Sequence, residues 1–254
     1  MGKDNKSNHE TEWDFYMSNV DGVIGSFLID LGLAKIAPVA DKPNLVSVAI
    51  TMNNSREDGL SSDEESNLLY EIEDKIEECL RKKYNAIYAG RLTSNGERLL
   101  YYYMKNTDNY KENLHQVNLE YPDYEFGYYD ENDKDWNTYF DFLYPSPEQH
   151  QMMMNRRVIH NLEEQGDNPS VERMVDHWIY FKKESDMENY ISEVSKQNFQ
   201  VIDKEKREKD NYQLHLGRLD KADIDSINDC TLYLWELAGK HNGDYDGWGC
   251  CIGK

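Results

Sequence analysis

Two short stretches in the second half of the chain contain the densest groups of side chains able to do chemistry. The first reads VDHWIYF at residues 175–181, and the second reads NGDYDGWG at residues 242–249. An imidazole beside carboxylates is a combination that general acid–base catalysis and many metal sites use. Tyrosine and tryptophan have apolar rings with a hydrogen-bonding tip, which is typical of protein-binding surfaces. The two stretches therefore favour either a catalytic site or a partner-binding site.

Strand geometry weakens the catalytic interpretation of the first stretch. Successive side chains of a strand point to opposite faces, so Asp176 and His177 are not expected to form a direct pair. The face that holds His177 also holds three apolar residues, and a histidine in such a position is usually buried with its ring nitrogens satisfied. In the second stretch, two glycines predict a short and sharply bounded strand. This interpretation puts Tyr245 and Trp248 at the edge or rim of a sheet, where a partner would contact them.

The motifs that usually identify cofactor, metal or nucleophile sites are missing from the sequence. The seven histidines form no HExxH motif and have no zinc-binding spacing with the cysteines. The stretch 130–135 does not fit a calcium loop starting at Asp130, because Lys134 and Asp135 stand where an oxygen ligand and a glycine are needed. No glycine-rich phosphate loop and no Gly-x-Ser-x-Gly motif occurs. We therefore predict no cofactor and no bound metal ion.

The net charge narrows the class of partner. The chain has 49 acidic and 28 basic residues and a formal net charge of -21. Direct nucleic-acid binding is not expected, because affinity for phosphates requires clustered lysine and arginine that release counterions. Residues 1–150 carry a net charge of -15 and residues 151–254 a net charge of -6. A partner with a basic surface would associate faster with such a chain.

An acidic helix is predicted in the first half. It begins with a capping-box pattern, Ser62-Asp63-Glu64-Glu65, and continues with apolar residues at helical spacing. Eight carboxylates and one lysine lie between Asp63 and Glu78. We interpret the carboxylates mainly as a solvated helix face. The alternative is a polyanionic surface that attracts a basic region of a partner protein.

Nothing in the sequence predicts a membrane span or a secretory signal. The first twelve residues, MGKDNKSNHETE, are polar, and no apolar run approaches the roughly 18–20 residues that a membrane helix needs. The four cysteines, Cys79, Cys230, Cys250 and Cys251, lack the spacing of a disulfide scaffold. On a strand, Cys250 and Cys251 would point to opposite faces, which disfavours a joint redox or metal role. We predict a cytoplasmic location.

The predicted strands and helices divide the chain into two α+β domains. We predict an N-terminal domain at residues 1–146, a linker helix at 147–166 and a C-terminal domain at 167–254. Both domains have the order β-α-β-β-α-β. This order is typical of a ferredoxin-like sandwich, in which two helices cover one face of an antiparallel sheet. The first domain has an extra leading hairpin that turns at Asp21-Gly22.

The two chemistry-bearing stretches, in this order and spacing, resemble the RraB family of ribonuclease E inhibitors over residues 167–252. The first half resembles an uncharacterised family, domain of unknown function 695, which is often fused ahead of such a module. The matching segments of the first half include EWDFY, AGRLTSNGERLLYYY and DWNTYFDFLYPS. The resemblance implies a ferredoxin-like fold and regulation by binding to the nuclease instead of catalysis. The chain departs from the RraB pattern at Asn242, where glycine is usual, and at Gly249, where an acidic residue is usual.

The residues and the resemblance together predict a non-enzymatic regulator that binds a partner protein, a ribonuclease with a basic surface, without contacting nucleic acid or a membrane. The predicted partner-binding residues are Asp176, His177, Trp178, Asp244, Tyr245, Asp246, Gly247 and Trp248. An alternative is a small-ligand sensor, or an acid–base or metal-dependent enzyme, with a site between the domains built from His177, Asp176 and Asp246. In a third interpretation the N-terminal domain is the functional part and the RraB-like module is a scaffold.

Overall fold

Both halves of the chain fold into an antiparallel sheet with helices packed on it, and apolar residues of the strands and helices form the cores. The computed structural model describes residues 9–207 and 211–253. The chain separates into two compact units, Met1–Pro145 and Ser146–Lys254. The first unit has a six-stranded sheet and the second a four-stranded sheet. The predicted combination of helices with two antiparallel sheets is therefore confirmed.

The first unit begins with the predicted hairpin, which turns at Asp21 and Gly22, both with positive φ. Its strands are β1 (Trp13–Val20), β2 (Val23–Asp30), β3 (Asn44–Thr51), β4 (Ile87–Ser94), β5 (Glu97–Met104) and β6 (Glu125–Asn132). Its helical elements are α1 (Asp63–Tyr84), α2 (Tyr110–Glu120), a 3-10 turn (Leu31–Lys35) and a π-helical turn (Thr138–Leu143). The strand order is β1-β2-β4-β5-β3-β6, and every neighbouring pair is antiparallel.

The acidic helix α1 is only in part the solvated surface that we predicted. Ser62 caps it, because its hydroxyl accepts a hydrogen bond from the backbone N–H of Glu65. The side chain of Glu65 is buried, and its carboxylate accepts bonds from the backbone N–H groups of Asn53 at 2.7 Å and Asn54 at 2.9 Å. Glu73 is buried as well. The prediction of a solvated face is therefore wrong for Glu65 and Glu73. Both side chains are buried and accept hydrogen bonds from other parts of the first unit.

Glu73 ties α1 to the sheet. Its carboxylate accepts hydrogen bonds from Arg91 at 2.8 Å, Arg98 at 3.2 Å and the Tyr88 hydroxyl at 2.6 Å. Arg98 is only 2% exposed, and both guanidinium groups lie 4.9 Å from the centre of the Tyr70 ring. Burial, reinforced by the charge of Glu73, raises the pKa of Tyr88, so its hydroxyl stays protonated and donates. Removing one partner of such a buried cluster would leave an uncompensated charge.

An aromatic segment after β6 covers the opposite face of the six-stranded sheet. Trp136 stacks on Tyr103, with ring centres 3.8 Å apart. The buried carboxylate of Asp133 accepts a bond from the Tyr103 hydroxyl at 2.7 Å and two more from backbone N–H groups of the following turn. In the stretch 130–135, β6 continues as far as Asn132, Asp133 is buried, and Lys134 and Asp135 form an exposed turn.

The second unit has the same β-α-β-β-α-β order after an additional N-terminal helix. Its helices are α3 (Pro147–Glu164), α4 (Glu184–Val194) and α5 (Ile224–Lys240), with a 3-10 turn at Ser195–Gln197. Its strands are β7 (Arg173–Phe181), β8 (Gln200–Arg207), β9 (Asn211–Asp220) and β10 (Gly243–Cys250), in the order β10-β7-β9-β8. Helices α4 and α5 pack on one face around Ile179, Leu214, Leu216 and Leu234. The segment 147–166, predicted as a linker, lies within this unit.

Three features of the residues that the structure describes bear on function. Within residues 9–207 and 211–253, no three or more His, Cys, Asp or Glu side chains are grouped so that they could hold a metal ion. None of the helices in the same described ranges is both long enough and apolar enough to span a membrane. The four cysteines are free thiols.

Candidate functional site

The fold brings the two chemistry-bearing stretches together on neighbouring strands. Strand β10 pairs with β7 in an antiparallel register that sets Trp248 opposite His177 and Asp244 opposite Tyr180. Because β10 is the outermost strand, the paired stretches lie at one edge of the four-stranded sheet. Sequence reasoning placed both stretches on strands but did not predict that the strands pair.

The helix-facing side of this pair is buried. His177 is 0% exposed, and Tyr245 and Trp248 are each 7% exposed. The ring nitrogen Nδ1 of His177 is hydrogen-bonded to the Tyr245 hydroxyl at 2.9 Å, and its Nε2 contacts the Cys230 thiol at 3.5 Å. The prediction that Tyr245 and Trp248 form an accessible aromatic rim is therefore wrong. The strand is at the sheet edge, but its aromatic side chains point inward against the helices.

The environment of His177 does not suit acid–base chemistry near neutral pH. Burial, with smaller effects of Arg218 and His215, lowers the pKa of His177 to about 3. Burial also raises the pKa of Cys230 to about 12. A catalytic base is most effective with a pKa near the working pH, and a nucleophilic cysteine needs a lowered pKa. His177, Cys230 and Tyr245 therefore form a neutral, hydrogen-bonded part of the core.

Trp248 anchors helix α3 to the sheet. Its indole N–H donates to the Asn155 side-chain oxygen at 3.0 Å. The amide nitrogen of Asn155 donates in turn to Thr231 at 2.7 Å and Asn228 at 2.9 Å, both on α5. Asn155 and Thr231 are fully buried, so these bonds satisfy polar groups that would otherwise be costly to bury. Asn155 was missed by sequence reasoning, because nothing in a helix assigned to a linker marks one asparagine as buried.

The other side of the sheet carries a partly exposed group that we call the open face: Asp176, Trp178, Tyr180, Gln213 and His215. The Nε2–H of His215 donates to the Asp176 carboxylate at 2.8 Å. The His215 ring stacks on Trp178 with ring centres 5.0 Å apart and planes 17° apart. Gln213 donates to the Tyr180 hydroxyl at 2.9 Å. These contacts hold the side chains in place on a surface that solvent reaches.

His215 is the second residue that sequence reasoning missed. It lies on β9 directly opposite Trp178 of β7. The alternating pattern of residues 212–219 was enough to place His215 and Gln213 on one face of a strand. It was not enough to choose the cross-strand neighbour, because the pairing register depends on the whole fold.

The remaining predicted site residues lie along β10. Asp244 and Asp246 are exposed, and Gly247 has a φ of 140° beside a bulge between residues 245 and 247. Asn242 has a φ of 53°, in the left-handed region that asparagine tolerates better than most residues, so it can replace the usual glycine. Gly249 pairs with Asp176, and a Cβ atom there would lie 3.7 Å from the Trp178 ring. The second departure from the family pattern therefore falls on the open face.

Comparison with known proteins gives a match for each unit. The sequence profile of the family of unknown function DUF695 matches residues 11–144. The profile described as Regulator of ribonuclease activity B matches residues 152–250. A protein named Regulator of ribonuclease activity B, from Shewanella amazonensis (strain ATCC BAA-1098 / SB2B), is 30% identical over 98 residues. That alignment covers 37% of this chain and 70% of the relative.

Among solved structures, an unknown protein from Galdieria sulphuraria is similar at 12% sequence identity. The similarity covers 81% of this chain and 96% of that chain, with a TM-score of 0.21. At this score the two folds do not correspond closely enough to support a statement about this chain.

Proposed function

We propose that this chain, which belongs to the family of unknown function DUF695 over residues 11–144 and to the Regulator of ribonuclease activity B family over residues 152–250, regulates a ribonuclease by binding it. The observation that carries the proposal is the second match, because it spans both β7 and β10 and has a relative named for that role. The relative is 30% identical to this chain over 98 residues, and we propose the same role for this chain.

Binding, without catalysis, is the mode of regulation that we propose. The one histidine of the two stretches, His177, is buried and has a lowered pKa, which supports a structural role for it. The net charge of -21 supports electrostatic attraction to a partner with a basic surface, which raises the rate of association more than the final affinity. A cytoplasmic location would bring the chain together with such an enzyme.

The partner-binding surface that we propose uses the accessible half of the predicted site. On the open face, Trp178 is held by its stack with His215, and Asp176 is held by the hydrogen bond from the same ring. A large aromatic residue that is already fixed loses little conformational entropy on binding, which is typical of interface hot spots. Asp244 and Asp246 add exposed carboxylates on β10. The buried residues of the predicted site support this surface from beneath.

The topology of each unit is also part of what we propose. We infer that both units are ferredoxin-like sandwiches. The strand order β10-β7-β9-β8 supports this for the second unit, and β4-β5-β3-β6 supports it for the first. We also infer that the domain of the second unit includes the helix 147–164, because Asn155 bonds directly to Trp248. Domain boundaries near residue 146 would then leave no separate linker helix.

The direct test is a binding measurement between the intact chain and ribonuclease E, the enzyme to which the family resemblance points. We expect Trp178→Ala to weaken binding at least tenfold, the order of effect seen when a hot-spot aromatic is truncated. Tyr129→Ala is the matched control, since Tyr129 is an exposed aromatic residue on a strand of the first unit. If Trp178→Ala binds as tightly as Tyr129→Ala, the open face is not the binding surface.

Salt dependence tests the electrostatic part separately. Raising the salt concentration from about 50 to about 200 mM shortens the screening length to below 10 Å, so the association rate constant should fall markedly. An association rate that does not change with salt would contradict the electrostatic attraction, while leaving the binding surface itself in place.

A further inference from the structure

A groove of about 410 Å³ lies between the C-terminal turns of α5 and the first residues of β10. Its lining includes Trp235, Glu236 and Gly239 from the helix, and Asp244 and Tyr245 from the strand. The volume is within the range of pockets that hold ligands or anchoring side chains of partners. The groove shares Asp244 with the proposed partner-binding surface and Tyr245 with the buried group around His177, whereas its lining residues on α5 belong to neither.

The groove is one half of the space between α5 and β10, and no side chain in the described part of the chain fills it. Helix α3 fills the other half, where Asn155 bonds to Thr231 of α5 and Trp248 of β10. Trp235 lies one helical turn beyond Thr231, and the groove begins there. Position 239 opens onto the groove, because a Cβ atom there would meet no atom within 4 Å.

The strand beside the groove has an available edge. Among the described residues, β7 is the only strand that pairs with β10, so alternate backbone N–H and C=O groups on the outer side of β10 are not used by a sheet partner. The opposite edge strand, β8, is protected by five consecutive charged residues at 203–207. In β10 the stretch Gly243–Tyr245 precedes the bulge and has a single charge. A short extended segment can therefore pair with this stretch before the bulge ends the register.

The charges around the groove select the partner. Among the residues that line the groove, Glu236 and Asp244 are acidic and Lys240 is basic, so the lining has a net charge of -1. The aromatic ring of Trp235 lines the interior. Lysine and arginine side chains suit a groove lined by carboxylates and an indole ring. Their aliphatic stems pack on apolar surface, while their charged ends reach the carboxylates or the face of the indole.

We propose that this groove binds an extended, lysine- or arginine-containing segment of the partner protein, added as a strand beside Gly243–Tyr245. Backbone hydrogen bonds to the strand edge would supply affinity, and a basic side chain in the groove would supply specificity. The identity of the partner as a ribonuclease rests on the proposed function. The groove itself does not, because its geometry and charge define the segment independently.

The test fills the groove without changing any charge. We expect Gly239→Leu to occupy it and Gly239→Ala to leave it open, and both replacements suit a helix better than glycine does. The probe is a labelled peptide of about ten residues that alternates lysine and valine, which is long enough to form a strand of the usual length of about five or six residues. Binding to the full chain is measured by fluorescence anisotropy. Wild type and Gly239→Ala should bind alike, and Gly239→Leu should bind at least about tenfold more weakly.

Two further arms separate the possible results. Asp244→Lys should weaken the same peptide, and a peptide that alternates glutamate and valine should not bind, because the rim is acidic. Equal peptide affinity for Gly239→Leu and Gly239→Ala, or no affinity of wild type for the lysine peptide, would overturn the groove proposal. If ribonuclease E binds wild type and Gly239→Leu equally, the groove proposal fails and the proposed function stands. If the enzyme binds no variant while the peptide result holds, the proposed function fails instead.

Discussion

On the helix-facing side of the four-stranded sheet, Trp248 and His177 lie opposite each other and are buried. On the open face, Trp178 and His215 also lie opposite each other, but both remain partly exposed. The inner histidine bonds to a tyrosine hydroxyl and contacts a thiol, whereas the outer histidine donates to the carboxylate of Asp176. The same two residue types thus stabilise the core on one face and form a fixed, accessible surface on the other.

This comparison shows that composition alone does not locate a binding site on a sheet. Trp178 and Trp248 both belong to stretches that contain aromatic and acidic residues, and both were predicted to contact a partner. Their burial differs because the two-residue period of a strand assigns each side chain to one face, and α4 and α5 cover only one face. Substitutions on the two faces should therefore differ in their effect on stability.

The largest expected effect comes from truncating the inner tryptophan. Trp248→Ala removes a buried ring and one of the two hydrogen bonds that the Asn155 side-chain oxygen accepts, the other coming from Gln151, so we expect the free energy of unfolding to fall by about 3–5 kcal/mol. Trp178→Ala removes a ring that is stacked only on His215 at the surface, so we expect a loss below about 1.5 kcal/mol. Urea denaturation of the two variants beside wild type gives both values.

The control for this pair is the slope of the unfolding free energy against urea concentration. Equal slopes for the three proteins would show that the variants unfold from comparably compact native states. Comparable losses of stability for Trp178→Ala and Trp248→Ala would contradict the assignment of the two rings to different faces.

The second prediction concerns the pH dependence of stability. The pKa of His177 is about 3 in the folded chain, against an ordinary value of 6.5. As the pH falls below 6.5, the unfolded chain binds a proton that the folded chain does not, so folding stability decreases down to about pH 3. Between pH 7 and pH 5 this residue alone should cost the wild type about 2 kcal/mol.

The comparison protein is His177→Gln, which cannot take up that proton. Carboxylates common to both proteins cancel in the difference, so the stability advantage of wild type over His177→Gln should shrink by about 2 kcal/mol from pH 7 to pH 5. A difference that stays constant over this range would mean that His177 titrates normally and is not buried as described.

Much of the second unit could be predicted from sequence because its signals are local. The period-two pattern of residues 175–181 predicted the strand and the correct facing of His177. Gly243 does begin β10, but the strand continues through Gly247 to Cys250, so the short strand expected between the two glycines is wrong. The register of β7 against β9 could not be predicted, because it depends on the packing of the whole fold. The contact between Asp176 and His215 joins residues 39 apart in sequence, so no spacing rule identifies it.

In the first unit, one missed feature did have a sequence signal. Glu65 and Glu73 share the spacing of the apolar residues of α1, since Glu65, Leu69, Glu73, Ile76 and Leu80 recur at intervals of three or four and all are buried. Counting carboxylates concealed this pattern, whereas helical position would have placed both acids on the inner face. Their partners, including Arg91 and Arg98, could not be named, because these residues come from strands whose packing on the helix is set by the whole fold.

The smallest expected effect comes from position 249, where the open face lacks the acidic residue of the family pattern. An aspartate there would stand opposite Asp176, and like charges directly across a sheet are destabilising. We expect Gly249→Asp to unfold with a free energy up to about 1 kcal/mol lower than Gly249→Ser, with the gap closing in about 1 M salt as screening shortens to about 3 Å. Serine is the matched control, because it adds a Cβ atom and a polar group without charge. A loss of several kcal/mol in both variants would mean that position 249 faces the helices, which would remove Gly249 and its neighbour Trp178 from the accessible surface.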